Sequence, residues 1–472
     1  MNRQSSILGQ RAVVIGGSIA GLLTARILTN YFERVTILER DCFPKQPEPR
    51  KGIPQCKQLH ILLTKGREIT EEVFPGLQDE LLAKGAATVD MIGDVEWLNP
   101  FGWGYRFPSG FMALSFSRYI LDWLIYHRLL EIDCIDFLEQ TYVTELLKSE
   151  DGKGVAGVKI KQRNQTGEKI ESNLSADLVV DASGYGSSAP QWLKSLGYET
   201  PEETRITTGM GYASRLYEIP SNFQENWKGI YIQAAPPERT SMGVLYPIEN
   251  NHWIVGICDT YPNQPSKDEN AFLEVLKQLP SPIIYNTVKN AKAITPIEIY
   301  HPPGNRLRHY EKLTHQPERF IVLGDAVCSF TPIYGQGMTV AALGAMTLND
   351  CLENIVKKRS NLSGLTKIFQ KRLAKINANP WIAATSQDAK YPSVKGLVTS
   401  PSIAEKFIGW YMNQVIRLTT TANYSQTTLA LTEVFHMLKS AGTLFKPDIA
   451  VQILKKILGN NSQYSPNQKS SS

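Results

Sequence analysis

A glycine-rich turn near the N-terminus constrains the fold of this chain more than any other feature. Residues 11–15 (Arg-Ala-Val-Val-Ile) predict a buried strand, residues 19–30 predict a helix, and residues 35–39 predict a second strand. The first strand and the helix are joined by residues 16–21 (Gly-Gly-Ser-Ile-Ala-Gly). A strand, a crossover helix and a strand of this length form a parallel pair, so the sequence predicts an α/β fold.

The residues of this turn suit a dinucleotide-binding site. They follow the pattern Gly-x-Gly-x-x-Gly except that Ser18 replaces the second glycine, and serine is small enough to let a pyrophosphate approach the backbone. Gly16 permits the tight turn, and Gly21 lets the helix lie close to the strand. The helix N-terminus offers free N–H groups to phosphates, and Glu39 can accept hydrogen bonds from a ribose diol. The alternative is a glycine-rich turn in some other α/β protein.

A second stretch matches the glycine pattern but predicts no second site. Residues 152–157 (Gly-Lys-Gly-Val-Ala-Gly) follow the polar residues 149–151 and precede alternating strand residues. Because no helix follows, no helix N-terminus is available for a phosphate. We predict a hairpin turn there, and therefore one dinucleotide site.

Two later motifs indicate the cofactor. Residues 320–323 predict a buried strand that ends in Gly324-Asp325, and a proline turn, a Gly-Gln-Gly sequence and a helix of small residues follow. This stretch resembles the Gly-Asp motif of the para-hydroxybenzoate-hydroxylase-like flavoproteins, which implies that Asp325 binds the ribityl chain of FAD. Residues 177–187 (Asp-Leu-Val-Val-Asp-Ala-Ser-Gly-Tyr-Gly-Ser) resemble the second Asp-Gly motif of that superfamily, near the pyrophosphate.

The resemblance implies a full set of cofactor-binding positions. They are Gly16, Gly17, Ser18, Ala20, Gly21, Glu39, Arg40, Arg118, Val143, Asp181, Gly184, Gly324, Asp325, Pro332, Gly335, Gly337 and Met338. The candidates nearest the flavin ring are Pro332, Gly335, Gln336, Gly337 and Met338, with His60 as a weaker candidate; no catalytic residue is assigned.

Two shorter segments narrow the subgroup. Residues 50–55 (Arg-Lys-Gly-Ile-Pro-Gln) with His60 resemble a Gly-Val-Pro-Gln…His segment of bacterial FAD-dependent epoxidases and hydroxylases, which are related to squalene-epoxidase-like and geranylgeranyl-reductase-like flavoproteins. Ser-Arg-x-x-Leu at 117–121 resembles a helix start that touches FAD. A surface ion pair is the alternative for Arg118, and a structural role is the alternative for His60. Relatives often carry arginines where this chain has Tyr185 and Ser188, which leaves the role of those arginines open.

The predicted fold class is α/β, with a Rossmann-like FAD-binding domain, an inserted β-rich substrate domain and C-terminal helices. Residues 1–204 form the first part of the FAD-binding domain, and residues 317–380 form the second part. The β-rich substrate domain covers residues 205–316. The C-terminal helical region covers residues 381–458, and a disordered tail covers residues 459–472.

The resemblance implies a monooxygenase, either an epoxidase or a hydroxylase. Such an enzyme inserts one oxygen atom into a hydrophobic unsaturated or aromatic substrate, with electrons from NAD(P)H or a separate flavin reductase. The chain lacks the Trp-x-Trp-x-Ile-Pro signature of tryptophan halogenases and the Tyr-x-Trp-x-Phe-Pro signature of geranylgeranyl reductases. The alternatives are an alkene reductase of the geranylgeranyl type and a flavin-binding protein or cyclase without redox turnover.

Aromatic residues in the 205–316 segment suggest an apolar pocket. They are Tyr212, Tyr217, Tyr231, Tyr246 and Trp253. An aromatic sheet face over the flavin would exclude water and favour an apolar small molecule. The alternative is that these side chains form the core of their own domain.

Charge and composition exclude several other classes. The net charge of +5 is spread along the chain, so we expect no nucleic-acid partner. We see no signal peptide and no apolar run long enough to cross a membrane, and we expect a cytoplasmic protein. The six cysteines are scattered, which suits reduced thiols and no metal site. Residues 402–458 could close the pocket or make a peripheral membrane contact.

Overall fold

The computed structural model describes residues 6–163, 169–396 and 402–461, which contain both helices and strands. The strands are β1 (Gly9–Ile15), β2 (Phe32–Leu38), β3 (Ala87–Asp90), β4 (Val95–Asn99), β5 (Gly102–Trp103), β6 (Met112–Ser115), β7 (Ile135–Leu138), β8 (Tyr142–Lys148), β9 (Val155–Arg163), β10 (Lys169–Ser175), β11 (Leu178–Asp181), β12 (Glu203–Thr207), β13 (Met210–Glu218), β14 (Gly229–Ile232), β15 (Met242–Ile248), β16 (His252–Thr260), β17 (Glu298–Tyr300), β18 (Asn305–Arg308), β19 (Phe320–Val322), β20 (Cys328–Ser329) and β21 (Lys395–Gly396). The helices are α1 (Ile19–Leu28), α2 (Thr64–Val73), α3 (Leu77–Ala83), α4 (Arg118–Leu130), α5 (Ala189–Ser195), α6 (Glu269–Gln278), α7 (Ile283–Val288), α8 (Gly337–Lys357), α9 (Leu365–Asp388), α10 (Ile403–Leu418), α11 (Ser425–Phe435) and α12 (Pro447–Asn461).

A five-stranded parallel sheet forms the centre of the cofactor domain. Its order is β19-β11-β1-β2-β7, and every neighbouring pair is parallel. The inner parts of β1, β2, β11 and β19 are buried, because the helix α1 and the antiparallel strand β9 are among the elements that pack against this sheet. The predicted strand–helix–strand unit is confirmed as β1-α1-β2, and the predicted α/β class is confirmed with it.

The literal glycine pattern at residues 152–157 lies in a hairpin, as predicted. It joins β8 to β9 in a three-stranded antiparallel sheet of order β10-β9-β8. Gly152 has a φ of +70°, which the tight turn requires. No helix N-terminus follows, so the stretch offers no phosphate site.

A seven-stranded sheet forms the second layer. Its order is β17-β13-β16-β15-β14-β4-β5, and all pairs are antiparallel except β14 with β4. Strands β4 and β5 come from residues 95–103, ahead of the 205–316 segment that supplies the other five. The residue ranges drawn from the sequence for the domains remain a prediction.

The C-terminal helices α10 to α12 have a small core of their own. Its buried members are Tyr411, Val415, Leu418, Leu444, Ile449 and Ile453. The region is tied to the rest of the chain where His436 Nδ1 accepts a hydrogen bond from Thr64 N at 3.2 Å, and where Asn99 Nδ2 donates to Thr419 Oγ1 at 3.2 Å. The helix α12 extends to Asn461, and the rest of the predicted disordered tail lies outside the described residues. No helix in the described ranges is long and apolar enough to cross a membrane.

Candidate functional site

The three predicted motifs meet at the carboxyl edge of the parallel sheet. Gly16 has a φ of +102°, and a Cβ there would lie 2.6 Å from the carbonyl oxygen of Ala182. A Cβ on Gly324 would lie 3.0 Å from Cβ of Ala20, so the third motif touches the first helix. A Cβ on Gly21 would lie 1.8 Å from the Gly16 oxygen, so α1 lies directly against the turn. The backbone can adopt these close approaches only where side chains are absent.

Arg118 lies between the first turn and the Gly-Asp motif. It begins α4 and is 4% exposed. Its Nη2 donates to Ser18 Oγ at 3.1 Å, and its Nε donates to Asp122 at 3.0 Å. Burial raises the pKa of Asp325, and the positive charge of Arg118 offsets part of that rise. The surface ion pair considered from the sequence is therefore wrong: Arg118 is buried, with its guanidinium on the dinucleotide turn.

Asp325 combines burial with partial access. Burial raises the pKa of its carboxyl group, and the charges of Arg118 and Arg306 lower it again. Asp325 as a whole residue is nevertheless partly exposed. A carboxylate at the border of the protein interior can accept hydrogen bonds from a polyol chain.

Asp181 shapes the loop that follows β11. Its Oδ1 accepts hydrogen bonds from Ser183 N at 2.9 Å and Ser183 Oγ at 2.5 Å, and its Oδ2 accepts from Ser187 Oγ at 2.6 Å. Gly184 has a φ of +81°, and a Cβ there would meet nothing within 4 Å. The carboxylate thus forms its hydrogen bonds within the loop, while Gly184 borders open space.

Glu39 is engaged by protein groups. Its Oε2 accepts a hydrogen bond from Gly17 N at 2.7 Å and pairs with Arg50 Nη2 at 2.8 Å, and its Oε1 accepts from Asp41 N at 3.0 Å. Arg50 also donates to the Gly17 oxygen at 2.7 Å and lies 4.4 Å from the centre of the Phe43 ring. Arg50 therefore stabilises the dinucleotide turn. The carboxylate oxygens of Glu39 retain lone pairs that could accept hydrogen bonds from a ribose.

The flavin-side loop, residues 332–338, leads into the long helix α8. Gly335 has a φ of +64°, and a Cβ on Gly337 would meet nothing within 4 Å. Gln336 is the N-cap residue but provides no side-chain cap, and its Oε1 has no hydrogen-bond partner among the described residues. Pro332 begins the loop and Met338 is buried. The N-terminus of α8 thus lies beside open space, where the positive end of the helix dipole favours an anionic group.

The remaining predicted positions lie further out or play supporting roles. Arg40 is exposed, and its Nη2 donates to the Gly52 oxygen at 3.5 Å. Val143 lies in β8 and packs against the main core. His60 Nδ1 lies 3.0 Å from the Gln58 oxygen and must donate to it, which leaves Nε2 as an acceptor. Burial, reinforced by the charge of Arg118, lowers the pKa of His60 to about 3, so this imidazole is neutral at physiological pH.

The sequence reasoning missed two arginines on β18. Arg306 donates to the main-chain oxygens of Tyr185 at 2.8 Å and Asp325 at 3.2 Å, and it lies 3.9 Å from the centre of the Tyr185 ring. Arg308 donates to the Ser187 oxygen at 3.1 Å. Cations thus reach the Asp181 loop from β18, although the loop itself lacks the arginines of many relatives. The alternation Arg306-Leu307-Arg308, which places both cations on one face of a strand, was the available signal.

The five aromatic residues of the second sheet divide between its two faces. Tyr217 and Trp253 pack with Phe272 and Leu276 in the core beneath α6, so the pocket position predicted for them is wrong. Tyr212, Tyr231 and Tyr246 lie on the opposite face, in a cluster that also contains Ile333 of the flavin-side loop and Leu59. Tyr212, Tyr231 and Tyr246 therefore belong to an apolar wall that runs from this loop to the sheet.

These residues suit FAD as their cofactor. The α1 turn and Arg118 would hold the pyrophosphate, Glu39 the ribose, and Asp325 the ribityl chain. The uncapped start of α8 would lie at the ring, where reduced flavin is negative. The fold and the donor set therefore define a dinucleotide-binding flavoprotein.

Comparison with known proteins agrees. The model of the family described as FAD binding domain matches residues 10–378. The chain is 33% identical over 350 residues to Protein Rv3254 of Mycobacterium tuberculosis, covering 72% of this chain and 73% of that protein. The chain belongs to this FAD-binding family, and it is a flavin-dependent oxidoreductase.

Solved structures share the fold at low identity. The flavin-dependent brominase Bmp2 is 15% identical, with a TM-score of 0.64 over 96% of this chain and 100% of that chain. PqsL, described as a probable FAD-dependent monooxygenase from Pseudomonas aeruginosa, is 15% identical, with a TM-score of 0.60 over 80% of this chain and 96% of that chain. The resemblance to para-hydroxybenzoate-hydroxylase-like flavoproteins is thereby confirmed for the FAD-binding family and the fold.

Proposed function

We propose that this oxidoreductase is a monooxygenase that inserts one oxygen atom into a hydrophobic unsaturated or aromatic substrate, as an epoxidase or a hydroxylase. The observation that carries the proposal is the apolar wall between the flavin-side loop and the second sheet. Ile333 of the loop packs in one cluster with Tyr246 and Met242, and Tyr212 and Tyr231 border it with partly exposed side chains. A substrate held there would lie next to the loop that faces the flavin.

The residues of the wall favour oxygen transfer in two ways. Reduced flavin, when bound, supplies the electrons that activate molecular oxygen. Apolar and aromatic side chains exclude water from the reacting atoms, which suppresses unproductive side reactions. A fully apolar substrate would require no buried ionic partner in this region.

Turnover under labelled oxygen gas tests the proposal. The FAD-loaded enzyme is given polyenes, isoprenoid quinones, phenols and simple aromatic acids, with bromide present in a parallel series. We expect a product with one labelled oxygen atom. A saturated, unlabelled product would establish an alkene reductase, and a brominated product would establish a halogenase. No redox turnover with any substrate would favour a cyclase or a flavin-binding protein.

The electron source is tested separately. We propose NAD(P)H or a separate flavin reductase as the donor. Anaerobic mixing of the holoenzyme with NADH or NADPH should bleach the flavin if the nucleotide reduces it directly. Bleaching only after addition of a flavin reductase would establish a partner protein.

We further propose that α10 and α12 contact a membrane surface. Ile403, Phe407 and Trp410 on α10 are 87%, 58% and 45% exposed, and Leu454 and Leu458 on α12 are 57% and 67% exposed. The lysines on these helices are Lys406, Lys455 and Lys456. Exposed apolar side chains beside lysines suit an interfacial position on anionic lipid. Cosedimentation with anionic vesicles should be lost when Phe407 and Trp410 are replaced by aspartate. Equal vesicle binding by the wild type and this variant would contradict the proposal.

A further inference from the structure

The N-terminus of α2 is capped by a residue of the C-terminal helices. The helix α2 begins at Thr64, and Leu63 at its N-cap position supplies no side-chain cap. His436 supplies two acceptors instead. Its Nδ1 accepts a hydrogen bond from Thr64 N at 3.2 Å, and its main-chain oxygen accepts one from Lys65 N at 3.2 Å. The first two N–H groups of α2, which have no partner within the helix, are thus satisfied from the far end of the chain.

The contact joins two helix ends of opposite partial charge. The helix α11 ends at Phe435, and His436 is its C-cap residue. The turn that follows places Met437 at a φ of +60°, and Leu438 N donates to the Glu433 oxygen at 2.9 Å. The carboxyl end of α11 therefore meets the amino end of α2, and the two helix dipoles favour the contact.

The imidazole of His436 is a neutral hydrogen-bond acceptor in this contact. Because a main-chain N–H group can only donate, Nδ1 is the unprotonated nitrogen and Nε2 carries the proton. Burial, reinforced by the charge of Arg67 on α2, lowers the pKa of His436 to about 4. The Phe111 ring packs edge-on against the imidazole, with 4.8 Å between the ring centres. The acceptor is therefore fixed in place and present at neutral pH.

The capped end of α2 lies against the elements that we assign to the flavin. A Cβ on Gly66 would lie 2.5 Å from Thr339 Oγ1 and 3.2 Å from Thr339 Cα, so α2 touches the first turn of α8 without an intervening side chain. A Cβ on Gly335 of the flavin-side loop would lie 3.9 Å from Leu63 Cδ2. A displacement of the start of α2 would therefore displace the loop and the helix end beside the flavin.

We propose that His436 is a positioning residue of the cofactor site, through which the C-terminal helices α10 to α12 hold α2 against α8 beside the flavin. The inference rests on FAD binding alone and not on the reaction that the flavin performs. His436 acts through the first turn of α2 and contacts no reacting atom. If this contact strengthens FAD binding, FAD must strengthen the contact by the same factor.

The rate at which FAD dissociates from the holoenzyme tests the role of the acceptor. His436→Phe keeps an aromatic ring beside Phe111 and removes the acceptor, whereas His436→Asn removes the ring and keeps an acceptor oxygen. We expect FAD to dissociate roughly five-fold faster from His436→Phe, the usual effect of losing one N-cap hydrogen bond, and at about the wild-type rate from His436→Asn. The visible circular dichroism of the bound flavin should change in His436→Phe only.

The matched control is Thr419→Val. It removes the hydrogen bond that Asn99 Nδ2 donates to Thr419 Oγ1 at 3.2 Å, and so weakens the attachment of the C-terminal helices at β4 and not at α2. This variant should release FAD at the wild-type rate.

Hydrogen exchange of the wild-type protein tests the same coupling without any substitution. Adding FAD to the apoprotein should slow amide exchange at Thr64 and Lys65 and also in residues 433–438, which lie on the other side of the contact. This measurement decides the question if His436→Phe does not fold.

Several results would overturn the inference. They are a wild-type rate of FAD dissociation in His436→Phe, the same acceleration in His436→Phe and His436→Asn, the same acceleration in His436→Phe and Thr419→Val, or unchanged exchange in residues 433–438 when FAD binds. A lower melting temperature of His436→Phe with normal FAD dissociation would mean that the contact only stabilises the fold.

Discussion

Replacing Asp325 by asparagine tests whether the carboxylate of this residue binds the cofactor or only stabilises the folded protein. The account places the Asp325 carboxylate on the ribityl chain of FAD, beside Arg118. Asparagine keeps the shape of the side chain and removes its charge. A charge-assisted hydrogen bond contributes about 1.5–3 kcal/mol, so Asp325→Asn should weaken FAD binding roughly ten- to a hundred-fold.

The stability of the apoprotein should change in the opposite direction. Burial raises the pKa of Asp325 above its ordinary value of 3.8, so the folded chain favours the protonated form. Above that raised pKa the folded chain must hold a poorly solvated charge, which destabilises it. The penalty shrinks as the pH falls below the folded pKa and is gone below the ordinary value of 3.8. Asp325→Asn removes this penalty. The apoprotein variant should therefore be at least as stable as the wild type at neutral pH.

The assay combines a fluorescence titration of FAD with thermal unfolding of the apoprotein. The matched control is Asp151→Asn, in the hairpin beside Gly152, where the carboxylate bonds Ser149 Oγ at 2.5 Å and Lys153 N at 3.0 Å. It should leave FAD affinity unchanged. Equal losses of affinity in both variants, or a less stable Asp325→Asn apoprotein with normal affinity, would refute the reasoning.

Three further substitutions test other parts of the site and fold. Gly337→Val should lower FAD occupancy without lowering the melting temperature of the apoprotein, because its Cβ would meet no protein atom within 4 Å; full occupancy would place the flavin ring elsewhere. Gly21→Ala should destabilise the protein by about 3 kcal/mol in urea titrations, because its Cβ would lie 1.8 Å from the Gly16 oxygen. Burial lowers the pKa of His436 from 6.5 to about 4, so its contribution to stability is complete above pH 6.5 and is lost as the pH falls toward 4. His436→Gln should flatten the fall in melting temperature between pH 7 and pH 5 that we expect of the wild type, and an equally steep fall in both proteins would contradict this.

The structural features that depend on residues close together in the sequence could be predicted. The unit β1-α1-β2 and the hairpin at residues 152–157 follow from apolar periodicity and from the residues that flank each glycine pattern. The helix start at Arg118 was found in the same way, by a short motif. Its burial against Ser18 was not, because the two residues are 100 positions apart and only the folded chain brings them together.

Contacts between distant segments could not be predicted. Asp388 meets Asn305, Thr331 and Tyr334 only when α9 packs against β18 and the flavin-side loop. Strand alternation shows that Tyr217 and Tyr212 point to opposite faces of β13, but it cannot show which face is turned toward the cofactor domain. The recruitment of β4 into the second sheet is equally non-local, since its partner β14 lies more than a hundred residues further along the chain.

The incorporation of labelled oxygen into a product tests the central claim most directly. The reduced, FAD-loaded enzyme is mixed with labelled oxygen gas and a hydrophobic aromatic or unsaturated substrate. The molecular mass of the product is then measured by mass spectrometry. The account predicts one labelled oxygen atom per product molecule. A product without the label, formed while the flavin is reoxidised, would contradict it.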